Sequence, residues 1–495
     1  MYNQLKKRLL ENLNIIKQFQ IRLLQVKTDE EKFDILNECQ QAAIVIGETI
    51  EKSGDTDNGT VHFLEEYCEM LFLLSEKSQV SSHDISELSQ QLDKVFVGIR
   101  KLPTKYRVVF LPYKADMWDS LESIWIACSK DENCDCKVVP LPYYELNRIE
   151  QKWEYRYDGE RFPKDLPVVH YSNYQLDILQ PDIAYIHNPY DDHNHVTMVY
   201  PAYHSKELKK YVGKLVYVPY YVNTGFISEA FQKLPSFYCM DYIIVQSEMA
   251  KESCKDAHFY NKVLPLGSPK LDKVINFAKY GVCMPEEWKE ILQKKKVLML
   301  NTTINDILNN EEKVIDKLKY FFGRIENQEY VALIWRPHPL IEATLKSLRP
   351  ELVDKYRELV VYYKEKKIGV YDTTGDVSNT VVVSDAYVGS SYSSVINLFG
   401  VCGKPIFLFN NEIYDNDRAS SCVNGFAKKN ALDYFCCRES QEFTIQGFID
   451  DLANDRLKKV KERQLIELAD LAANQDGTCG EKVHKYMMDV LRKEE

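Results

Sequence analysis

Val331-Ala332-Leu333-Ile334-Trp335-Arg336-Pro337-His338-Pro339 is an apolar run that stops abruptly on a guanidinium, an imidazole and two prolines. Five consecutive apolar residues read as a strand buried on both faces, which is the pattern of a parallel sheet covered by helices. Proline donates no N–H and cannot continue a central strand, so Arg336 and His338 belong at its carboxyl edge. Open α/β sheets bind their ligands at that edge. Further along, Val381-Val382-Val383-Ser384-Asp385-Ala386-Tyr387-Val388 reads as another strand and its turn. It runs into Gly389-Ser390-Ser391-Tyr392-Ser393-Ser394 and then into a short helix over Val395-Ile396-Asn397-Leu398-Phe399. Unpaired N–H groups at a helix start, joined by the hydroxyls of Ser390, Ser391, Ser393 and Ser394, suit a phosphate or pyrophosphate.

The same grammar extends outward in both directions. Short apolar runs alternate with helical stretches at Arg107–Leu111, Cys136–Pro140, Ile183–Ile186, Lys214–Val218 and Tyr242–Val245. A second series starts at Lys296–Leu300 and continues through Tyr330–Trp335, Ile368–Tyr371, Val381–Val383 and Pro405–Phe409. Strands alternating with helices imply parallel sheets. The expected architecture is therefore α/β, with two Rossmann-like domains facing a cleft and an N-terminal helical extension. Its boundaries fall at 1–102 for the helical extension, 103–280 for the first α/β domain, 281–440 for the second and 441–495 for closing helices. Leu264-Pro265-Leu266-Gly267-Ser268-Pro269-Lys270-Leu271-Asp272 and the charged helix near Pro285 to Lys296 read as the hinge.

Composition narrows the function. A length of 495 residues calls for more than one core, and 63 basic against 74 acidic residues give a net charge of −11. That balance argues against nucleic acid as a partner, since such proteins present a basic face. No run reaches the length of a membrane span and no signal-peptide core is present, so a cytoplasmic protein is expected. Neither GxGxxG nor a Walker A loop occurs, which disfavours oxidoreductases of the dinucleotide type and P-loop enzymes. Thirteen cysteines, an odd number scattered through the chain, read as reduced thiols. Cys134-Asp135-Cys136 and Cys436-Cys437 invite a zinc assignment, but neither has a second pair at finger or ribbon spacing. No metal and no other cofactor is expected.

The first helix sets Leu5, Leu9, Leu13, Ile16, Phe19 and Leu23 near one face and Lys6, Lys7, Arg8, Lys17, Arg22 and Lys27 elsewhere. Such a basic amphipathic helix suits the inner surface of a membrane. The alternative is packing against the body of the protein or a second copy, which would make a homo-oligomer.

Gly267-Ser268-Pro269-Lys270-Leu271-Asp272, Asn301-Thr302-Thr303, Arg336-Pro337-His338-Pro339, Ser384 to Ser394 and Gly403-Lys404-Pro405 occur in one order along the chain. In that order the segment from about 260 to 412 resembles the CDP-glycerol glycerophosphotransferases of teichoic-acid synthesis. The resemblance implies a GT-B fold whose C-terminal half binds the nucleotide-diphosphate donor. It places His338 at the position of a family catalytic histidine and the serine cluster near the donor phosphates, where Arg336, by its strand-edge position, is the further phosphate-binding candidate. Two departures stand out. The family's Trp-His-Gly-Thr turn is replaced by Val218-Pro219-Tyr220-Tyr221-Val222-Asn223-Thr224, and its Asp-Tyr-Ser-Ser has Ser391 before Tyr392-Ser393-Ser394.

With the first family histidine missing, a base must come from elsewhere in the N-terminal half. The loop His187-Asn188-Pro189-Tyr190-Asp191-Asp192-His193-Asn194-His195 follows a strand end and concentrates imidazoles and carboxylates. His187, Asp191 or Asp192 can take a proton from an acceptor hydroxyl if within hydrogen-bond reach. Asp372 and Thr373, after another strand end, are candidates for the nucleobase or ribose, and Tyr217, Tyr220 and Tyr221 for an acceptor groove. The reaction expected is transfer of a polyol phosphate from CDP-glycerol to a polymer or lipid-linked acceptor. A glycosyltransferase using a nucleotide-sugar donor, and a non-catalytic nucleotide-binding or assembly protein, are the alternatives.

Overall fold

The computed structural model describes the chain apart from residues 55–58, 148–149, 223–226, 283, 293, 311, 327, 391–392, 415–435, 459–471 and 495. Four helices come first: α1 Asn3–Gln20, α2 Asp29–Lys52, α3 Thr60–Ser75 and α4 Ser82–Lys101. Their apolar stripes close on one another, burying Leu9, Leu13 and Ile16 of α1 against Leu36, Leu64, Leu88, Leu92 and Ile99. Each such side chain contributes roughly 1.5–3 kcal/mol on full burial. The apolar face of α1 is thus consumed inside the protein, and even Lys6 is buried, its Nζ donating to Leu102 O at 3.0 Å and Thr104 Oγ1 at 2.7 Å. The bundle is fastened to the first α/β half through Asp182, which accepts from Asn3 Nδ2 at 2.8 Å and from the Arg107 amide at 2.9 Å.

That half is built on β1 Tyr106–Phe110, β2 Cys134–Val138, β5 Ile183–Ile186, β7 Lys214–Tyr217, β8 Tyr242–Ile244 and β9 Val263–Leu264. These pair in the order β2-β1-β5-β7-β8-β9, every pairing parallel. A small antiparallel sheet of β3 Tyr143–Asn147, β4 Lys152–Arg156 and β6 Thr197–Val199 stands beside it. It escapes a reading by hydrophobic pattern, because residues such as Lys152, Trp153, Tyr155 and Arg156 are exposed on both sides of the strand.

The second half repeats the plan with β10 Lys296–Thr302, β11 Val331–Pro337, β12 Gly369–Tyr371, β13 Ala386–Gly389, β14 Ile406–Leu408 and β15 Cys436–Arg438, ordered β12-β11-β10-β13-β14-β15. All of its pairings are parallel. Trp335, fully buried, packs against Phe322, Tyr363 and Tyr371 with ring centroids 4.9–5.2 Å apart. Two parallel-sheet halves make this a GT-B-like α/β fold.

One expectation needs correction. Val381–Val383 is the last turn of a helix, Val377–Val383, started by Asp376, whose carboxylate caps the Ser378 amide at 2.8 Å. The strand begins only at Ala386, so a β-branched run was overridden by a good N-cap and by burial of Val381. The closing helices divide between the two halves. Ile445–Ala453 puts Phe448 and Ile449 into the second core, while Cys479–Lys493 returns to the first and buries Val483, Met487 and Leu491. Asp272, from the hinge motif, caps that returning helix by accepting from the Cys479 and Gly480 amides at 3.1 and 2.8 Å.

Candidate active site

The carboxyl edge of the second sheet carries the residues singled out by sequence. In the parallel register Asn301 lies opposite Arg336 and Thr302 opposite Pro337, with Gly389 on the other side of Asn301. The His338 amide continues the ladder by donating to Thr302 O at 2.9 Å. Gly389 is needed here, since a Cβ would collide with the Asn301 carbonyl oxygen. A close backbone approach therefore brings the serine segment to the strand end that bears Arg336.

Two cavities open on this edge and share the wall Arg336-Pro337-His338-Pro339. One, of about 480 Å³, is bounded by Asn301, Thr302, Thr303, Ser393 and Ser394. The other, of about 610 Å³, is bounded by Tyr356, Lys364, Tyr371, Thr373 and Thr374. Both fall in the range of small-molecule sites, roughly 300–1,000 Å³.

The side chains divide the work unevenly. Arg336 Nη1 donates to Asp372 Oδ2 at 2.6 Å and Thr374 Oγ1 at 3.0 Å, and Nη2 to Thr374 O at 2.6 Å. Three of the five N–H donors of a guanidinium are thereby occupied, leaving two. The Asp372 carboxylate is buried beneath Arg336 and also accepts from the Thr374 amide and from Thr380 Oγ1. Asp372 thus holds the arginine and its turn, while Thr373 is the member of the pair that is exposed toward the cavity.

His338 Nδ1 accepts the Leu340 amide at 3.2 Å, so its proton sits on Nε2 and the ring is neutral. Desolvation lowers its pKa below the usual 6.5, in the same direction. The protonated state that would favour an anion is not its resting state. Ser393 Oγ accepts the Val395 amide at 3.2 Å and Ser394 is exposed at the start of the helix Val395–Val401. Ser390 is buried, and Ser391 lies outside the described residues. Asn301, named only as part of a strand end in the sequence, donates from Nδ2 to Arg336 O at 3.0 Å while its buried Oδ1 has no partner among the described residues. A single polar residue closing an apolar strand was the signal for it.

The structure does not bring the first-half candidates to these cavities. His187 is fully buried: Nε2 accepts the Tyr113 amide at 3.1 Å, and Nδ1 lies 3.3 Å from both Met117 O and Ser120 Oγ. Burial pushes its pKa down to about 3, so it remains neutral and internally committed. The Asp191 carboxylate is held by the Ser205 amide at 3.1 Å and Ser205 Oγ at 3.0 Å. Asp192 and His193, paired at 2.7 Å, are exposed in that loop, as is His195. Tyr217 is buried, and with Tyr221 lines a separate small cavity beside Gly267, Ser268 and Pro269. The halves meet above this region, where Asn397 Nδ2 donates to Val222 O at 3.2 Å. They meet again where Lys273 Nζ lies 3.4 Å from Glu122 of the first half and 3.0 Å from Asp376 of the second.

Residues 174–427, more than half of the chain, match the CDP-glycerol:poly(glycerophosphate) glycerophosphotransferase family. The chain belongs to this family. It is accordingly a glycerophosphotransferase-like enzyme, and the family binds a nucleotide-activated donor. Solved structures similar to it include the wall teichoic acid polymerase TagF, at 13% identity over 88% of this chain and 98% of that one, with a TM-score of 0.48. A UDP-N-acetylglucosamine 2-epimerase is similar at 13% identity over 79% and 97%, TM-score 0.49. The UDP-GlcNAc 2-epimerase of Methanocaldococcus jannaschii, in complex with UDP-GlcNAc and UDP, is similar at 13% identity over 77% and 99%, TM-score 0.46. A comparison with curated proteins finds no match. Among the described residues, no helix of this glycerophosphotransferase-like chain is long and apolar enough to cross a membrane.

Proposed function

We propose that this chain transfers glycerol phosphate from CDP-glycerol to a hydroxyl of a cell-surface polymer or lipid-linked acceptor, working at the inner face of the membrane. The observation that carries the reading is the pair of cavities sharing the Arg336-to-Pro339 wall. A nucleotide diphosphate needs a compartment for the nucleoside and another for the reacting phosphate, with donors between them. In this reading the nucleoside occupies the cavity with Tyr371 and Thr373, and the β-phosphate the cavity with Asn301, Ser393 and Ser394.

In the reaction an acceptor oxygen attacks the β-phosphorus, the bond to the bridging oxygen breaks, and CMP departs with that electron pair. The acceptor proton passes to a base outside the two cavity walls; of the first-half candidates Asp192, paired with His193, is exposed, whereas His187 and Asp191 are committed to internal hydrogen bonds. His338 donates from Nε2 to an oxygen whose negative charge grows, and Arg336 contributes its two remaining N–H groups. Charge-assisted hydrogen bonds are worth about 1.5–3 kcal/mol each. Association costs roughly 4–15 kcal/mol, so the serine segment and the nucleoside cavity must supply the remainder.

The test is mass-resolved product analysis with CDP-glycerol and, in parallel, UDP- and GDP-sugars, using membrane-derived acceptors. CMP release matched by a glycerol-phosphate mass gain is expected. Sugar transfer with nucleotide diphosphate release would replace this reading by a glycosyltransferase one.

A further inference from the structure

Far along the chain from the hinge, the fold assembles a second set of chemistry-bearing side chains. Cys128 closes the helix Glu122–Ser129, Cys134 and Cys136 lie two apart on β2, and His484 projects from the returning C-terminal helix. Ligand atoms of Cys128, Cys134 and His484 all lie within 4.8 Å of one another. Residues two apart on a strand share a face, so Cys136 stands beside Cys134, both packed on the core that holds Cys128. Three ligand-type residues from three elements thus converge, separated in sequence by up to 356 positions, with Cys136 on the same strand face as Cys134.

We propose that Cys128, Cys134, Cys136 and His484 form a Cys₃His zinc site that pins the C-terminal helix to the first sheet. Zinc takes bonds of about 2.3 Å to sulfur and about 2.0 Å to nitrogen, which sets tetrahedral ligand atoms roughly 3.5–3.8 Å apart. The ligand atoms of Cys128, Cys134 and His484, within 4.8 Å of one another, stand at most about an ångström wider than that. Entry of Zn²⁺ releases three thiol protons and leaves the imidazole neutral, with no redox change.

Two neighbours fit the role of orienting such ligands. His484 Nε2 lies 3.1 Å from Asp131 Oδ2, which sets the proton on Nε2 and leaves Nδ1 to coordinate. Carboxylate–histidine–zinc chains are built in this way. The Tyr185 hydroxyl is fully buried, has no hydrogen-bond partner among the described residues, and belongs to the same core as Cys128, Cys134 and Cys136. A thiolate bound to zinc is the acceptor this hydroxyl lacks. By contrast Cys436 and Cys437 point to opposite sides of β15 into different cores and cannot share a metal.

The experiment is metal analysis of the full chain purified under reducing conditions, followed by stripping and reloading with Zn²⁺ or Co²⁺. One zinc per chain is expected, with intense visible bands and thiolate charge transfer in the cobalt form. Cys134→Ser and His484→Gln should each weaken zinc binding at least tenfold, and Tyr185→Phe about tenfold. Zinc should also slow amide exchange across 479–493 in the native chain. Wild-type protein that takes up no stoichiometric metal on reloading, or a Cys134→Ser chain that holds zinc as tightly as wild type, overturns the site. Glycerol-phosphate transfer does not enter either readout, so this inference stands or falls apart from the proposed reaction.

Discussion

Nη1 of Arg336 lies 2.6 Å from Oδ2 of Asp372, a carboxylate with 0% side-chain exposure beneath a guanidinium with 13%. The pair is nearly neutral as a unit, so the arginine arrives at the cavity edge already positioned and partly compensated. Removing one partner of a buried pair strands the other charge. Asp372→Ala should therefore destabilise the chain by about 3–5 kcal/mol, read as a lower urea midpoint. An unchanged midpoint would show that the pair is solvated and only incidental. Arg336→Met should lower kcat/KM for donor by roughly 10- to 150-fold, the equivalent of one charged hydrogen bond of about 1.5–3 kcal/mol.

His338 offers a second test, with a defined sign. Its pKa lies below 6.5 and Nδ1 is held unprotonated by the Leu340 amide. Transfer should be insensitive to this group above pH 6.5 and should fall only on further acidification, as protonation breaks the Leu340 contact. His338→Ala should reduce kcat by about 10²–10⁴-fold. His338→Gln, which keeps an N–H donor, should recover part of that loss. Equal inactivity of the two variants would instead assign His338 a proton-accepting role.

His187 should appear in stability rather than catalysis. Its folded pKa of about 3 lies below the ordinary 6.5, so the unfolded chain binds the extra proton between these values. Its contribution is complete above pH 6.5 and is lost as pH falls toward 3, at up to about 1.4 kcal/mol per pH unit. Denaturation midpoints measured from pH 7 to pH 5 should decline more steeply for wild type than for His187→Gln. Parallel declines would place the titration elsewhere.

Lys317 and Glu439, 2.7 Å apart and each 1% exposed, tie the helix Glu312–Glu326 to the segment after β15. Burial lowers the lysine and raises the glutamic acid, and each is rescued by the other and by neighbouring hydrogen bonds. Lys317→Met or Glu439→Gln alone should cost about 3–5 kcal/mol. The double variant should cost less than the two together, since replacing both removes the stranded charge. Additive losses in a thermal or urea series would count against coupling.

Much of the fold was legible because its signals are local. Apolar runs of strand length, prolines after Trp335 and the ordered motifs from Gly267 to Pro405 are properties of neighbouring residues, and they sufficed for two parallel-sheet halves and the family. Val381–Val383 misled because a β-branched triplet carries no information about the Asp376 cap that draws it into a helix. The antiparallel sheet at Tyr143–Arg156 was invisible because neither of its faces is uniformly buried.

By itself the sequence determined the sheet pattern, the edge where Arg336 and His338 emerge, and the absence of dinucleotide and P-loop signatures. Only tertiary structure decided that Asp372 is buried beneath Arg336 and holds it, that His187 turns inward, and that Cys128 and His484 meet Cys134. The reason is physical. Hydrophobic periodicity is written within a few residues of itself, whereas burial, charge compensation and ligand convergence depend on partners that only the closed chain brings together.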